Sequence, residues 1–478
     1  MRILLTGATG YVGRTLLPLL EARGHAVRCL ARNPAKLAGR TGAQTEILGG
    51  DATDPDVLAR ACAGIDAAYW LVHSMDSGVD FERADRLAAE RFAAAARKAG
   101  VRRVVYLGGL GADDDSLSDH LRSRHEVGTI LRAGGADVVE FRASIVIGPG
   151  SFSFDLVRTL VERLPVMVCP RWVATPTQPI AVADVTAYLL AALDLPPGAG
   201  RVYEIGGPDV VSYGAIMREY ARQRGLRRLM IPVPVLTPRL SGLWLALVAP
   251  GYAKVGRKLI DGLRNPTIVT DQRVLADLPV RPRDLPAAIG EAMRTEDAEF
   301  AGKRWADLAD KAETHQRYGG EVEGTRFVDH RRVVVRTSAE RAFAAIERIG
   351  GANGWYAFDW LWRLRGWMDR AVGGPGMGRG RADPQRLTAG ETLDCWRVEA
   401  CEPPRRLRLA AEMRLPGRGW LEFEVVPRGD DVTIHQTAVF DARGLGGLAY
   451  WYAIWPLHEV VFRGMLAGIA RRASTAGA

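Results

Sequence analysis

The chain has 478 residues, of which 47% are hydrophobic and 25% are charged, and its formal net charge is +9. This composition is typical of a globular protein and excludes a mostly disordered or fibrous chain. The length predicts about three domains, or two if one of them is large.

The cysteines and the apolar runs predict a cytoplasmic protein. Five cysteines are scattered along the chain without a CxxC pair, which argues against a disulfide scaffold and a zinc ribbon, and no ligand set for a metal stands out. No run of about 18 apolar residues is present, so we expect no membrane span. The first residues lead directly into a glycine motif rather than into a signal-peptide cleavage region.

The positive charge is spread along the chain and is carried mainly by arginine. The sequence has no basic stripe with interleaved aromatic residues and no helix-turn-helix pattern. We therefore expect no nucleic-acid partner.

Short apolar runs alternate with longer helical stretches over about the first 190 residues. The predicted strands are Arg2–Thr6, Ala26–Ala31, Thr45–Leu48, Ala67–Val72, Arg103–Leu107 and Asp137–Ile147. The predicted helices lie near Arg14–Arg23, Pro55–Ala61, Phe81–Lys98 and Ser118–Ala133. This alternation predicts βαβ units and an α/β fold whose doubly wound parallel sheet is covered on both faces.

The pattern becomes mixed between residues 150 and 295. A helix near Phe154–Arg163 is followed by proline-containing loops, and a helix near Asp184–Ala192 and a strand near Arg201–Ile205 return the chain to the main sheet. Residues 297–324 are charged and contain glycine, which predicts a linker. The predicted domains are therefore residues 1–296 and, after this linker, residues 325–478.

The second predicted domain has a different order of elements. A strand near Val333–Val335 and a helix at Ala339–Ile349 come first. Four runs typical of antiparallel strands follow, at Thr392–Ala400, Leu407–Met413, Trp420–Val426 and Val432–Phe440. A long apolar helix, Leu448–Arg472, comes last.

The segment Gly7-Ala8-Thr9-Gly10-Tyr11-Val12-Gly13 connects the first strand to a helix, and in this context its GxxGxxG spacing predicts a dinucleotide site. Gly7 allows a tight turn, Gly10 lets the backbone approach a pyrophosphate, and Gly13 allows close packing of the helix. The helix N-terminus supplies free N–H groups and a positive dipole. The residues predicted to contact the cofactor here are Gly7, Thr9, Gly10, Tyr11, Val12 and Gly13.

The end of the second strand bears on the choice of dinucleotide. An NAD-preferring site has an acidic residue there for the ribose 2′-hydroxyl, whereas this strand leads into Arg32. An arginine at this place pairs with a 2′-phosphate, and Lys36 adds positive charge nearby. We therefore predict NADP(H) in preference to NAD(H), with a merely solvated Arg32 as the alternative.

These features resemble the atypical or extended short-chain dehydrogenase/reductase superfamily, in its NmrA-like, epimerase-like NAD(P)-binding branch, over about residues 1–290. The glycine motif, Arg32 and the turn Gly50-Asp51-Ala52-Thr53-Asp54 after the third strand carry the resemblance. It implies a Rossmann sheet with a smaller substrate lobe over about residues 150–295. It also implies further cofactor contacts at the strand ends, from Asp51, Ala52, Val72, His73, Gly108 and Ser144. Phe152 and Phe154 are candidate walls of an apolar substrate pocket, or else ordinary core residues.

The catalytic residues of that superfamily are missing. Typical members have a serine and a Tyr-x-x-x-Lys pattern, but here the helix after the fifth strand has His120 and Arg124 at this spacing, and the serine position is Gly108-Gly109. His120 is a candidate general acid, because an imidazole exchanges protons near neutral pH. Arg124 stays charged and would hold the ribose or a phosphate. Alternatively, hydride transfer to a flavin, a quinone or an activated alkene takes its proton from water, and His120 is a surface or capping residue.

The elements after residue 325 resemble the START-like helix-grip fold, an α+β fold in which a sheet wraps the last helix around an apolar cavity. The whole arrangement resembles bacterial reductase-like proteins that carry such a domain, of unassigned function, after a dinucleotide domain. The tryptophans that either line a cavity or form core are Trp355, Trp360, Trp362, Trp367, Trp451 and Trp455.

Together these observations predict an NADPH-dependent oxidoreductase that acts on a hydrophobic small molecule of quinone, enone or carbonyl type. The missing tyrosine and serine leave a second hypothesis, a non-catalytic NADP(H)-binding sensor or assembly protein of NmrA-like type. A lipid carrier is the third hypothesis. The sequence leaves a homo-oligomer open and does not name the substrate.

Overall fold

The computed structural model of the chain describes residues 1–37, 39–72, 81–112, 117–198, 200–233, 265–302, 320–323, 326–377 and 380–475. The chain divides into two compact units. The first unit consists of Met1–Val161 and Val166–Ala298, and the second of Glu162–Pro165 and Glu299–Ala478. Most of the predicted linker, including residues 303–319, lies outside the described residues.

The described strands and helices of the first unit follow the predicted alternation. The strands are β1 (Arg2–Thr6), β2 (Ala26–Ala31), β3 (Glu46–Gly49), β4 (Ala67–Trp70), β5 (Arg103–Gly109), β6 (Asp137–Ala143), β7 (Val146–Ile147), β8 (Val166–Cys169), β9 (Pro176–Thr177), β10 (Ile180–Ala181), β11 (Arg201–Ile205), β12 (Val211–Ser212) and β13 (Leu229–Pro232). The helices are α1 (Tyr11–Ala22), α2 (Pro55–Cys62), α3 (Phe81–Ala99), α4 (Asp119–Ala133), α5 (Phe152–Arg163), α6 (Val182–Ala191), α7 (Tyr213–Gln223), α8 (Val274–Asp277) and α9 (Leu285–Gly302).

Seven strands form a parallel sheet in the order β11-β6-β5-β4-β1-β2-β3. The strand order reverses between β1 and β4, which creates a topological switch point at the carboxyl ends of these two strands. The predicted doubly wound Rossmann sheet is confirmed. The single strand predicted over Asp137–Ile147 is wrong, because after Ala143 the chain leaves this sheet and β7 pairs with β10.

Successive side chains of β1 pack into two hydrophobic clusters, one on each face of this sheet. Ile3 and Leu5 pack in the cluster that includes residues of α1 and α6, whereas Leu4 packs in the cluster that includes residues of α2 and α3. Because both faces are covered, β1 is continuously apolar rather than alternating.

The second unit has its own sheet and core. Its described strands are β14 (Glu321–Glu323), β15 (Arg326–Val335), β16 (Thr392–Leu393), β17 (Trp396–Glu402), β18 (Arg406–Ala411), β19 (Gly417–Arg428) and β20 (Asp431–Ala442). They form an antiparallel sheet in the order β14-β15-β20-β19-β18-β17-β16. The helices are α10 (Ala339–Glu347), α11 (Asp359–Ala371) and α12 (Gly444–Thr475).

The long helix α12 packs on one face of the antiparallel sheet, where Met465 and Ile469 share a core with Leu421 and Phe423. An antiparallel sheet against a long last helix is the predicted helix-grip architecture. The sequence did not predict α11. Within the described ranges, no helix is both long enough and apolar enough to span a membrane.

Candidate functional site

The candidate site lies at the switch point between β1 and β4. The Thr6 hydroxyl joins the two strands, because it donates to the Tyr69 carbonyl (2.8 Å) and accepts from the Leu71 N–H (3.2 Å). Gly7 follows with a φ of +71°, and a Cβ at this position would lie 2.5 Å from the Leu71 carbonyl oxygen. The turn after β1 therefore requires glycine both for its conformation and for its closeness to the end of β4.

The next two glycines of the motif bring α1 close to this turn. The Gly10 N–H donates to the Gly7 carbonyl at 2.9 Å. A Cβ at Gly13 would lie 2.3 Å from the Gly7 oxygen, so only glycine lets the helix approach so closely. Thr9 and Gly10 are exposed, and Tyr11 and Val12 are half-buried at the start of the helix.

The N-terminus of α1 suits an anion. Gly10 occupies its N-cap position without a side-chain cap, and the first turn contains no acidic residue. In contrast, the N-cap residues Asp54 and Ser118 accept backbone N–H groups of α2 and α4. The first-turn N–H groups of α1 have no acceptor within the helix itself, as at every helix start, and together with the helix dipole they favour a phosphate group.

Positive charge lies at the end of β2. Arg32 and Lys36 are both exposed. The Arg32 guanidinium makes no hydrogen bond or ion pair with any described residue, although it contributes to the low pKa of the Asp51 carboxyl. The main cause of that low pKa is Thr53, whose hydroxyl and N–H donate to Asp51 Oδ1 at 2.6 and 2.7 Å.

The other predicted contacts lie at the carboxyl ends of neighbouring strands. Ala52 follows β3 and Val72 follows β4, and both are half-buried and pack on the same apolar cluster. Gly108 is buried at the end of β5. His73 lies outside the described residues. The sheet thus brings the glycine motif, Val72 and Gly108 to one edge, which is the place that the sequence analysis assigned to the cofactor.

Helix α4 packs closely on the end of β5, where the resemblance implies a serine. A Cβ at Gly109 would lie 2.7 Å from Leu121 Cδ2, and a Cβ at Gly108 would lie 3.3 Å from Tyr106 Cε1. A serine side chain at position 109 would therefore require the end of the Leu121 side chain to rotate away.

The two candidate catalytic residues lie on α4. The Arg124 guanidinium donates to the Leu107 carbonyl and lies 5.3 Å from the centre of the Tyr106 ring, while the Tyr106 hydroxyl donates to the Arg124 carbonyl at 2.9 Å. Burial raises the pKa of this tyrosine, so its phenol stays neutral. His120 is half-buried in the first turn. A second histidine that the sequence analysis missed, His125, is buried with Nε2 3.0 Å from the Gly109 carbonyl oxygen.

A buried ion-pair network fixes α4 against β6. The Glu140 side chain is fully buried, accepts from Arg142 Nε at 2.8 Å and pairs with Arg132. A Cβ at Gly128 would lie 2.3 Å from Glu140 Oε2, so this glycine of α4 makes the space for the carboxylate. The sequence signal for this network is a pair of opposite charges two residues apart, Glu140 and Arg142, inside a buried strand.

Ser144 and Phe154 both contact other side chains of the first unit. The Ser144 hydroxyl lies 2.5 Å from Thr177 Oγ1 and 2.6 Å from Thr267 Oγ1, so it connects the end of β6 to two distant segments. Phe154 is 1% exposed and packs edge-on against Tyr220, which favours the core interpretation over a substrate-pocket wall. Ser144 remains a predicted cofactor contact.

The second unit contains a cavity of about 170 Å³. Four tryptophans contribute to its wall, namely Trp362, Trp396, Trp420 and Trp451. Only Trp362 and Trp451 were among the six tryptophans that the sequence analysis named as candidates for a cavity wall. Of the others, Trp355 and Trp455 are buried outside the cavity wall, and Trp360 and Trp367 are 63% and 69% exposed.

Comparisons with known proteins agree with this geometry. A family model described as NAD(P)H-binding matches residues 7–144, and one described as a protein of unknown function (DUF2867) matches residues 322–465. The (4-alkanoyl-5-oxo-2,5-dihydrofuran-3-yl)methyl phosphate reductase of Streptomyces griseus is 30% identical over 305 residues, which are 62% of this chain and 100% of that protein. The chain belongs to the NAD(P)-binding Rossmann proteins of the atypical short-chain dehydrogenase/reductase group.

Two further similarities describe this reductase family. The 4-hydroxy-2-methyl-3-oxo-4-farnesyl-3,4-dihydroquinoline-1-oxide ketoreductase of Stigmatella aurantiaca is 27% identical over 58% of this chain and 91% of that protein. The triphenylmethane reductase of Citrobacter sp., solved with NADP(H), matches 61% of this chain and all of that chain, with a TM-score of 0.51 and 16% identity. The last match concerns the fold alone. The homologues of the first unit are thus NAD(P)H-dependent reductases, and the second unit belongs to a family without an assigned function.

Proposed function

We propose that the chain is an NADPH-dependent reductase of a hydrophobic small molecule. The observation that carries the proposal is the glycine cradle at the switch point together with Arg32, an exposed cation without a described ion-pair partner at the end of β2. The names of the Streptomyces and Stigmatella relatives include an alkanoyl and a farnesyl group, which supports a hydrophobic substrate. When bound, the reduced nicotinamide supplies a hydride to such a substrate.

The residues of the cradle suit each part of NADPH. The uncapped start of α1 binds the pyrophosphate, and Arg32, with Lys36 nearby, binds the 2′-phosphate. Asp51 accepts a hydrogen bond from the adenine, because the low pKa of its carboxyl keeps it ionised. The glycines at positions 7 and 13 leave the space that a Cβ would fill.

For the proton, we propose His120 as the donor and Arg124 as the cation that holds the ribose or a phosphate. Arg124 is fixed by its hydrogen bond to the Leu107 carbonyl and stays charged. His120→Ala should lower the turnover of a ketone acceptor by roughly 10²-fold or more, the usual scale of general acid catalysis. The matched control is Arg122→Ala, an exposed residue of the same helix. Unchanged ketone turnover in His120→Ala would contradict the assignment of His120 as the proton donor.

The cofactor proposal is tested by titrating wild type, Arg32→Ala and Arg60→Ala with NADPH and NADH. Arg60 is an exposed arginine on α2 and serves as the control for a lost surface charge. A hydrogen bond between charged groups contributes about 1.5–3 kcal/mol, so Arg32→Ala should weaken NADPH roughly 10- to 150-fold and leave NADH unchanged. Equal affinities of wild type and Arg32→Ala for NADPH would contradict the proposal.

The missing catalytic serine, tyrosine and lysine favour a second candidate function, an NADP(H)-binding sensor without turnover. Such a protein needs no catalytic serine, tyrosine or lysine, and this chain has Gly108-Gly109, His120 and Arg124 at those positions. It should bind NADPH but should not oxidise it with a panel of quinones, enones and ketones. Steady oxidation of NADPH with any of these acceptors contradicts this second candidate.

A further inference from the structure

The cavity of the second unit is apolar with a few polar groups at defined positions. Its wall comes from α11, β17, β19, β20 and α12, and includes Trp362, Phe440, Trp451 and Phe462. Leu457 belongs to the wall and is 49% exposed, so the cavity reaches the surface. A volume of about 170 Å³ is close to that of a cavity that holds benzene, so the space fits one ring or a chain of about six carbons.

The cavity wall contains one arginine, Arg365, whose guanidinium has no ion pair with a described residue. Arg365 lines the cavity and is half-buried, and no described carboxylate lies within ion-pair distance of its guanidinium. The nearest acidic side chain on its helix, Asp369, uses both carboxylate oxygens to accept the N–H groups of Gly376 and Arg414. Among the described residues, Arg365 therefore has no carboxylate in direct contact with its guanidinium.

The other polar groups of the wall are donors or are already paired. The Tyr450 hydroxyl accepts a hydrogen bond from Arg365, and burial raises the pKa of its phenol, so the hydroxyl stays protonated and is able to donate to a ligand. The indole N–H groups of Trp362 and Trp396 are buried without an acceptor among the described residues. His458 pairs through Nε2 with Asp329 at 2.9 Å, and Arg331 also neutralises this aspartate.

An excess of donors over acceptors favours a ligand that brings acceptor atoms. A guanidinium binds a carboxylate through two parallel hydrogen bonds, and its attraction to the anion increases where water is excluded. A single arginine balances the one negative charge of a carboxylate, but only about half of the charge of a phosphate dianion.

We propose that this cavity binds a small apolar monocarboxylate, with its ring or chain among the tryptophans and its carboxylate on Arg365. The proposal is independent of the cofactor site, because every residue that carries it belongs to the second unit.

The test compares acids with alcohols of the same shape on the full chain. Hexanoate and benzoate, with hexan-1-ol and benzyl alcohol as neutral counterparts, are titrated by calorimetry and by tryptophan fluorescence. We expect each acid to bind at least tenfold more tightly than its alcohol. In Arg365→Gln the acid should lose this advantage, while binding of the alcohol stays the same.

Two controls make the result specific. Arg363→Gln removes an exposed charge two residues away on the same helix and should change nothing. Ala438→Leu partly fills the cavity and should weaken acid and alcohol together. Circular dichroism shows whether each variant is folded, and NADPH titration of the same samples tests the first unit separately. Equal binding of acid and alcohol to wild type, unchanged acid binding in Arg365→Gln, or no binding of any of these probes overturns the proposal.

Discussion

Alanine at position 7 tests whether the turn after β1 needs glycine for space as well as for conformation. Gly7 has a φ of +71°, and an added Cβ would lie 2.5 Å from the carbonyl oxygen and 2.8 Å from the carbonyl carbon of Leu71. Both atoms belong to the backbone at the end of β4, so no side-chain rotation relieves the contact. The turn or the end of β4 has to move by several tenths of an ångström.

The cost of this change has two parts. A left-handed conformation costs an L residue about 1–2 kcal/mol. Forcing an extra methyl group into a packed site costs about 1–3 kcal/mol more. We therefore expect Gly7→Ala to lower the free energy of unfolding of the first unit by about 2–5 kcal/mol. NADPH binding should also weaken, because the glycine cradle is displaced.

Gly24→Ala separates the two parts. Gly24 has a similar φ of +75°, but no atom lies within 4 Å of an added Cβ, so this variant has only the conformational cost. Scanning calorimetry of the full chain measures both variants, and hydrogen exchange of peptides that contain β1 assigns the transition of the first unit. If the two substitutions destabilise this unit equally, the close approach of Gly7 to β4 does not constrain the turn and the reasoning is refuted.

Three further predictions concern buried charges and thiols. Glu140→Gln should destabilise the first unit by about 3–5 kcal/mol in denaturation experiments, because it leaves the buried Arg142 without its carboxylate; a loss below 1 kcal/mol would contradict this. Burial acts to raise the pKa of the Asp329 carboxyl, but the interactions with His458 and Arg331 together outweigh burial, and the pKa is lowered. The ionised Asp329 carboxylate should stabilise the fold fully above its unfolded pKa of about 4, and this stabilisation should be lost as the pH falls through the lower folded pKa. The loss in free energy of unfolding caused by Asp329→Asn should therefore be largest near pH 7 and smaller in acid. Burial raises the pKa of the Cys401 thiol to about 11, so at pH 8 roughly one molecule in a thousand carries the thiolate. Cys401 should therefore react with a disulfide reagent far more slowly in the native protein than in urea.

The sequence by itself was sufficient for elements whose signal is local. The glycine motif between a strand and a helix, and the alternation of apolar runs with helical stretches, predicted the parallel sheet, because each signal depends on residues a few positions apart. The four apolar runs and the last helix predicted the antiparallel sheet in the same way. The missing tyrosine and lysine in α4 were also visible at once.

The tertiary structure decided which distant residues meet. The hydroxyls of Ser144, Thr177 and Thr267 come together from three separate segments, and no local pattern pairs them. The exposed Trp360 and the cavity-lining Trp362 are two residues apart on α11, and their different surroundings depend on how that helix packs. Secondary structure follows from short-range periodicity. In contrast, the place of Arg365 in the cavity wall and the close approach of Leu121 to Gly109 depend on side chains that only the packed fold brings together.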